Sequence, residues 1–194
     1  MPLSAVKILE LNSKYHLVEG LCERDSENPE GVGLDLRVGE VYRLDETNGF
    51  LGVEERKTPK AILIADIKED KNKKISLLSG EYILVKTIEK ITSPAEKIKY
   101  QWNMPKAFLM PHVYPRSTLQ NCGVALYCTK TDPGYTGQLR FGLANHGKGK
   151  FEFELGARMF NIVFFPVFGE LKRAYNGQWQ GGKRASTGGL EKQI

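Results

Sequence analysis

The sequence predicts an all-β (mainly β) fold with few short helices, and three observations carry that expectation. From the second quarter of the chain onward, apolar residues recur with a period close to two, as half-buried strands require. Gly, Pro, Asn and Asp cut those runs into short lengths, and helix-start signals are scarce. Many short strands between turns suit a sandwich, a jelly roll or a small barrel.

The first helix is expected over residues 4–12, where Ser4 precedes an apolar-periodic stretch. Strand-like runs follow at residues 39–44, 61–65, 82–87, 124–128 and 151–155. A short helical turn is expected after Pro115, with Ser117 or Thr118 capping Leu119-Gln120-Asn121. Asp132-Pro133-Gly134 stands between two strand-like runs and predicts a tight hairpin.

No repeat, Pro/Ser-rich linker or charge block divides the 194 residues, so one β domain is expected over residues 1–172, with residues 45–75 as an inserted hairpin or loop. Residues 175–194 hold five glycines and little to bury, so a flexible C-terminal arm is expected over residues 173–194. The arm also carries Tyr175, Trp179, Lys183, Arg184, Ser186 and Thr187, aromatics able to stack and groups able to hold phosphate. A closing lid and an unstructured tail both fit that composition.

An apolar content of 41% with a net charge of only +5 excludes a disordered or collagen-like chain. Cys22, Cys122 and Cys128 fit no C-x-x-C pattern and leave one unpaired, so a reducing cytoplasm is the expected setting. No apolar run approaches the roughly 20 residues needed to cross a bilayer, and the first residues lack the layout of a secretion signal; no membrane partner is expected. The lysines of residues 68–74 alternate with acids as on a solvated loop, so no nucleic-acid polymer is expected, although the basic balance suits an anionic ligand.

Three segments could carry chemistry. Pro115-Arg116-Ser117-Thr118 offers a planar guanidinium fork, two hydroxyls and free backbone N–H groups to one anion, while a plain capped turn would use the same residues. The Asp132 turn places a carboxylate and the Tyr135 ring where they could frame a planar ligand, although an Asx turn alone also explains Asp132. Residues 31–39 have misplaced glycines for a dinucleotide fingerprint, and no G-x-x-x-x-G-K-[ST] loop occurs. His16, His112 and His146 lack ligand-spaced neighbours and read as surface or satisfied core histidines; direct protein ligands to a metal are not expected.

In this order, the segments resemble the trimeric dUTPase and dCTP deaminase superfamily. The matching motifs are Gly33-Leu34-Asp35-Leu36, Pro115-Arg116-Ser117-Thr118-Leu119, Asp132-Pro133-Gly134-Tyr135-Thr136-Gly137 with a strand ending in Asn145, and Gly156-Ala157-Arg158-Met159. The resemblance implies a distorted jelly-roll or β-clip barrel of the dUTPase type, assembled as a homotrimer with sites between subunits. Long N-terminal and C-terminal portions look like the deaminase branch. Its proton-shuttling glutamate, three positions before the strand-ending asparagine, is replaced here by Gly142, and its second arginine by Asn121. Glycine cannot transfer a proton, so deamination lacks its agent there. The zinc deaminase signatures H-x-E and P-C-x-x-C are also missing.

The resemblance therefore implies hydrolysis of dUTP to dUMP and pyrophosphate, with Asp132 as general base and Mg²⁺ held mainly by the triphosphate and water. Arg116, Ser117, Thr118 and Asn161 are expected on the phosphates, and Tyr135 and Gly134 around the sugar and base, with the hairpin backbone reading uracil. Tyr175, Gln178, Trp179, Lys183 and Arg184 are expected lid or triphosphate contacts, and Asp35 and Arg158 supports of the site. The alternatives are a dCTP deaminase, alone or joined to dUTP hydrolysis, and a non-catalytic deoxynucleotide binder.

Overall fold

The computed structural model describes residues 1–182 and 186–192. Ser4 is extended and its hydroxyl accepts the Lys7 N–H at 3.2 Å, so helix α1 (Ala5–Tyr15) begins at the expected cap. It buries Ala5, Ile8 and Leu11 on one face and runs three residues past the expected end, to a left-handed His16 (φ 51°). β1 (Val18–Glu19) and the short α2 (Glu23–Glu27) lead into β2 (Leu34–Leu44).

The remaining elements are β3 (Phe50–Leu51), β4 (Glu55–Lys57), β5 (Ala61–Asp66), β6 (Lys74–Leu77), β7 (Tyr82–Thr92), β8 (Phe108–Pro115), α3 (Ser117–Asn121), β9 (Val124–Tyr127), β10 (Thr136–Asn145), β11 (Phe151–Glu154), β12 (Arg158–Val167) and β13 (Leu190–Lys192). Only 11% of the chain is helical, and the fold is a near-closed β barrel, as the mainly-β reading expects. Its main sheet is antiparallel in the order β8-β12-β2-β7-β10-β9, with β1 on β7 and β5 on β2.

Three expected strands fall within observed ones and the other two, 124–128 and 151–155, overrun β9 and β11 by one residue, while β2 and β7 extend to 11 residues, well beyond the expected runs. Both are buried on long stretches of both faces and place polar side chains such as Asp35, Lys86 and Glu89 among the buried ones, so an apolar alternation marks only part of them. Leu34, Leu36, Val85, Leu143, Phe160 and Phe164 are fully buried between the layers, and the Phe141 and Phe160 rings meet at 4.8 Å. Burying each such side chain contributes about 1.5–3 kcal/mol.

Two local expectations are corrected. Arg116, not Ser117 or Thr118, is the N-cap of α3, and it makes no side-chain capping bond. Its guanidinium instead turns toward Asp35. The Asp132 turn is likewise no tight hairpin: eight residues, 128–135, join β9 to β10. The turn is tied to the end of β7, where Gly134 N–H donates to Ser93 O at 2.8 Å and Ser93 N–H to Tyr135 O at 2.9 Å.

In the 45–75 region, β3 pairs with β4 and β5 joins β2, while β13 from the C-terminal end adds to β4. Among the described residues, no helix is long and apolar enough to cross a membrane.

Candidate active site

Strand register builds the first part of the site. Asn161 on β12 stands opposite Asp35 on β2 and, on its other edge, opposite Tyr114 on β8. Arg116 follows two residues after Tyr114, with its N–H held by Met159 O at 3.0 Å, and so reaches the same cleft. Three segments remote in sequence thus converge.

Asp35 is buried at the centre, 7% exposed, and its carboxylate accepts from the Arg116 guanidinium, from Arg158 Nη1 at 3.2 Å and from Asn161 Nδ2 at 3.2 Å. Three donors satisfy an anion that would otherwise be expensive to bury. The cleft, of about 220 Å³, is also lined by Gly33, Ser117, Arg24, Asp25 and Glu30, with Arg24 paired to Glu30 at 2.8 Å. Thr118 is exposed on α3 and is not part of this lining.

Gly33 is required here by close approach. A Cβ at that position would stand 1.9 Å from Asn161 Oδ1 and 3.0 Å from Ile162 O. Gly33→Ala is expected to displace the Asn161 amide and cost about 1–3 kcal/mol. Thermal unfolding checks it: an unchanged Tm would show that the cleft yields freely.

The second part surrounds the Asp132 turn as a pocket of about 470 Å³, lined by Lys130, Asp132, Tyr135, Arg140, Tyr175 and Trp179 among others. Asp132 is 38% exposed at its side chain and is paired with Lys130. The Tyr135 ring is buried, tilted against Tyr175 at 5.9 Å, and its hydroxyl donates to Gln138 O at 2.7 Å. Burial pushes the Tyr135 hydroxyl up to about 12, so it remains a neutral donor through ordinary pH.

The β10–β7 ladder slips between Gln138 and Arg140, and consecutive residues 138, 139 and 140 all line the pocket. Arg140 lies over the Trp179 ring at 4.7 Å.

Residues 175–182 run along the back of the turn. Tyr175 N–H donates to Pro133 O at 2.7 Å and Gly181 N–H to Thr136 O at 2.7 Å. Gln180 accepts from Thr136 N–H at 3.2 Å and donates to Gly134 O at 2.9 Å. These backbone groups, expected to read a base, are engaged by the chain's own arm. Gln178 Nε2 is buried without a partner among the described residues. Lys183 and Arg184 lie outside the described residues.

At position 142 a Cβ would stand 2.1 Å from the Tyr82 hydroxyl, so Tyr82 fills the space that a longer side chain would take. Asn121 is exposed at the end of α3. His112 departs from the expectation of satisfied histidines, since its buried Nδ1 has no partner among the described residues.

Sequence reasoning missed Lys130, Arg140 and Tyr82. A cation inside the strand-like run Gln138-Leu139-Arg140-Phe141 was the available signal for Arg140.

The family described as dCTP deaminase-like matches residues 3–167. A probable deoxyuridine 5′-triphosphate nucleotidohydrolase of Methanothermobacter thermautotrophicus is 30% identical over 77% of this chain and 85% of its own. One of the same description from Aeropyrum pernix is 31% identical over 77% and 83%. A dCTP deaminase of Thermococcus kodakarensis is 29% identical over 88% of both chains. Among solved structures, the 2′-deoxycytidine 5′-triphosphate deaminase of Agrobacterium tumefaciens superposes with a TM-score of 0.58 at 17% identity, which speaks to the fold alone. It covers 84% of this chain, which spans 46% of that one.

Proposed function

The chain belongs to the dCTP deaminase-like family, and we propose that within it this protein hydrolyses dUTP to dUMP and pyrophosphate, with Asp132 as general base. One contrast carries the reading. A half-exposed carboxylate opens onto the pocket at Asp132, whereas the position where deamination calls for a proton shuttle is Gly142, covered by the Tyr82 hydroxyl. The relatives described as nucleotidohydrolases support the same choice.

In this mechanism Asp132 orients a water and takes its proton as the water oxygen bonds to the α-phosphorus. The bond from that phosphorus to the bridging oxygen breaks, and pyrophosphate leaves with the electron pair. Lys130 holds the carboxylate in place. Tyr135, with Gly134 in the turn beneath it, supports the sugar, and Tyr175 and Trp179 close over the nucleotide with Gln178 behind them. Lys183 and Arg184 are proposed to reach the triphosphate.

Arg116, Ser117, Thr118 and Asn161 hold the phosphates, while Asp35 and Arg158 position Arg116. The Arg116 cleft and the Asp132 pocket share no lining residue. That separation supports a homotrimer in which one subunit's Arg116 cleft completes its neighbour's pocket.

Among the described residues no group of three or more His, Cys, Asp or Glu could hold a metal ion, and the Asp35 carboxylate is engaged by two arginines and an amide. That donor set fits Mg²⁺ carried by triphosphate oxygens and water rather than caged by protein. When bound, the ion neutralises charge on the leaving pyrophosphate.

With Mg²⁺ present, dUTP is expected to yield pyrophosphate and dCTP no ammonia, each product assayed separately. Ammonia from dCTP would establish the deaminase alternative; tight dUTP binding with neither product would establish a nucleotide sensor.

A further inference from the structure

Arg140 is a cation on the pocket wall. Among the described residues its guanidinium has no hydrogen-bond or ion-pair partner, and it is partly buried against Trp179 at 4.7 Å. A guanidinium carries five N–H donors and no acceptor, and leaving them unmet in a desolvated wall is costly. Burial pulls Arg140 below its ordinary value, opposed by Tyr42, Tyr135, Glu40 and Tyr82, yet an arginine stays charged. The group is therefore poised for an acceptor that a ligand brings.

Its position in the pocket narrows that acceptor. Asp132 and Tyr135 belong to the turn, whereas Arg140 lies on β10, five residues past Tyr135, and lines the same pocket. The Tyr135 hydroxyl reaches Gln138 O, so its ring lies along the wall that leads from the turn to Arg140. In the proposed pose, with the phosphate at Asp132 and the sugar over Tyr135, the base extends along the pocket wall toward Arg140 and Trp179. Position 4 of a pyrimidine lies opposite the glycosidic nitrogen and so leads that approach. The turn backbone is not free to read it, because Pro133 O, Gly134 O and both Thr136 backbone groups are bound by the arm.

We infer that Arg140 is the specificity-determining residue of this pocket, donating to the O4 carbonyl of uracil and rejecting the 4-amino group of cytosine. The inference rests on the dUTP reading of the same pocket. An amino group facing a donor-only wall leaves both sides unpaired, the arrangement by which enzymes discriminate most strongly. Thymine keeps O4, so it supplies an internal control.

The test measures pyrophosphate release from dUTP, dCTP and dTTP, together with calorimetric binding of their α,β-imido analogues. Arg140→Gln, whose amide both donates and accepts, is expected to lower the dUTP-to-dCTP preference at least about tenfold. The dUTP-to-dTTP ratio should move less than about twofold. Arg140→Lys, still a donor only, should retain most of the preference. A wild-type preference surviving in Arg140→Gln would overturn the inference, as would equal binding of the uracil and cytosine analogues by the wild-type protein. Selective binding of the uracil analogue without any pyrophosphate release from dUTP would overturn the hydrolysis reading and leave the role of Arg140 standing.

Discussion

Replacing Asp132 with asparagine is expected to lower kcat for dUTP hydrolysis by about 10²–10⁴-fold, the usual contribution of a positioned general base. The amide keeps the size of the side chain, so the turn should keep its shape. That turn is held by backbone bonds, from Gly134 to Ser93, Ser93 to Tyr135 and Tyr135 to Asp132, none of which uses the carboxylate. What the variant loses is the proton acceptor and the anion that pairs with Lys130.

Binding of the α,β-imido analogue of dUTP should therefore survive within a few-fold, because its contacts are proposed to come from Arg116, Ser117 and the Tyr135 pocket. Rapid-quench turnover and calorimetry on the same preparation separate the two quantities. Turnover equal to wild type would remove Asp132 as the base. A matched collapse of binding and turnover would give it a structural role instead.

Local patterns in the sequence reached the fold class and much of the site, for a physical reason. A strand face, a helix cap such as Ser4 and a Pro-Gly turn are written in adjacent residues, and their chemistry can be read there. The meeting of Asp35, Asn161 and Arg116 is not local. It depends on β2 and β8 pairing with opposite edges of β12 in one particular register, and a one-residue slip would point each side chain to the other face.

The same limit hid Arg140. Strict alternation puts residues 139 and 140 on opposite faces, but the slip in the β10–β7 ladder places both on the pocket wall. The tight hairpin expected at Asp132 failed in a related way. Its partner is the residue after β7, some forty positions upstream, and a turn signal says nothing about which distant strand will take it.

Arg37→Met is expected to destabilise the protein by about 3–5 kcal/mol near pH 8, because it strands a buried carboxylate outside the candidate site. Glu89 has no exposed surface. Its carboxylate accepts from Arg37 Nε at 2.7 Å and from Arg37 N–H at 2.8 Å, while Arg37 Nη2 also donates to Gly20 O at 2.6 Å. Methionine fills most of the arginine's volume and keeps the backbone donor, so the charge partner is the main loss. Burial already pushes the Glu89 carboxyl above its ordinary range, against the opposing pull of Arg37. Without that guanidinium the folded-state value must rise further. A carboxyl whose folded pKa exceeds its unfolded one binds protons more tightly when folded, so stability is greatest below the unfolded pKa and falls as pH rises through the folded one. The deficit of Arg37→Met should accordingly shrink on going from pH 8 to pH 5, as Glu89 takes up a proton. Replacing both residues, as in Arg37→Met with Glu89→Met, should recover most of the loss at pH 8, because no buried charge is left unpaired. Urea unfolding of the three proteins at both pH values decides the matter: a deficit independent of pH would mean that packing, not the stranded carboxylate, accounts for the cost.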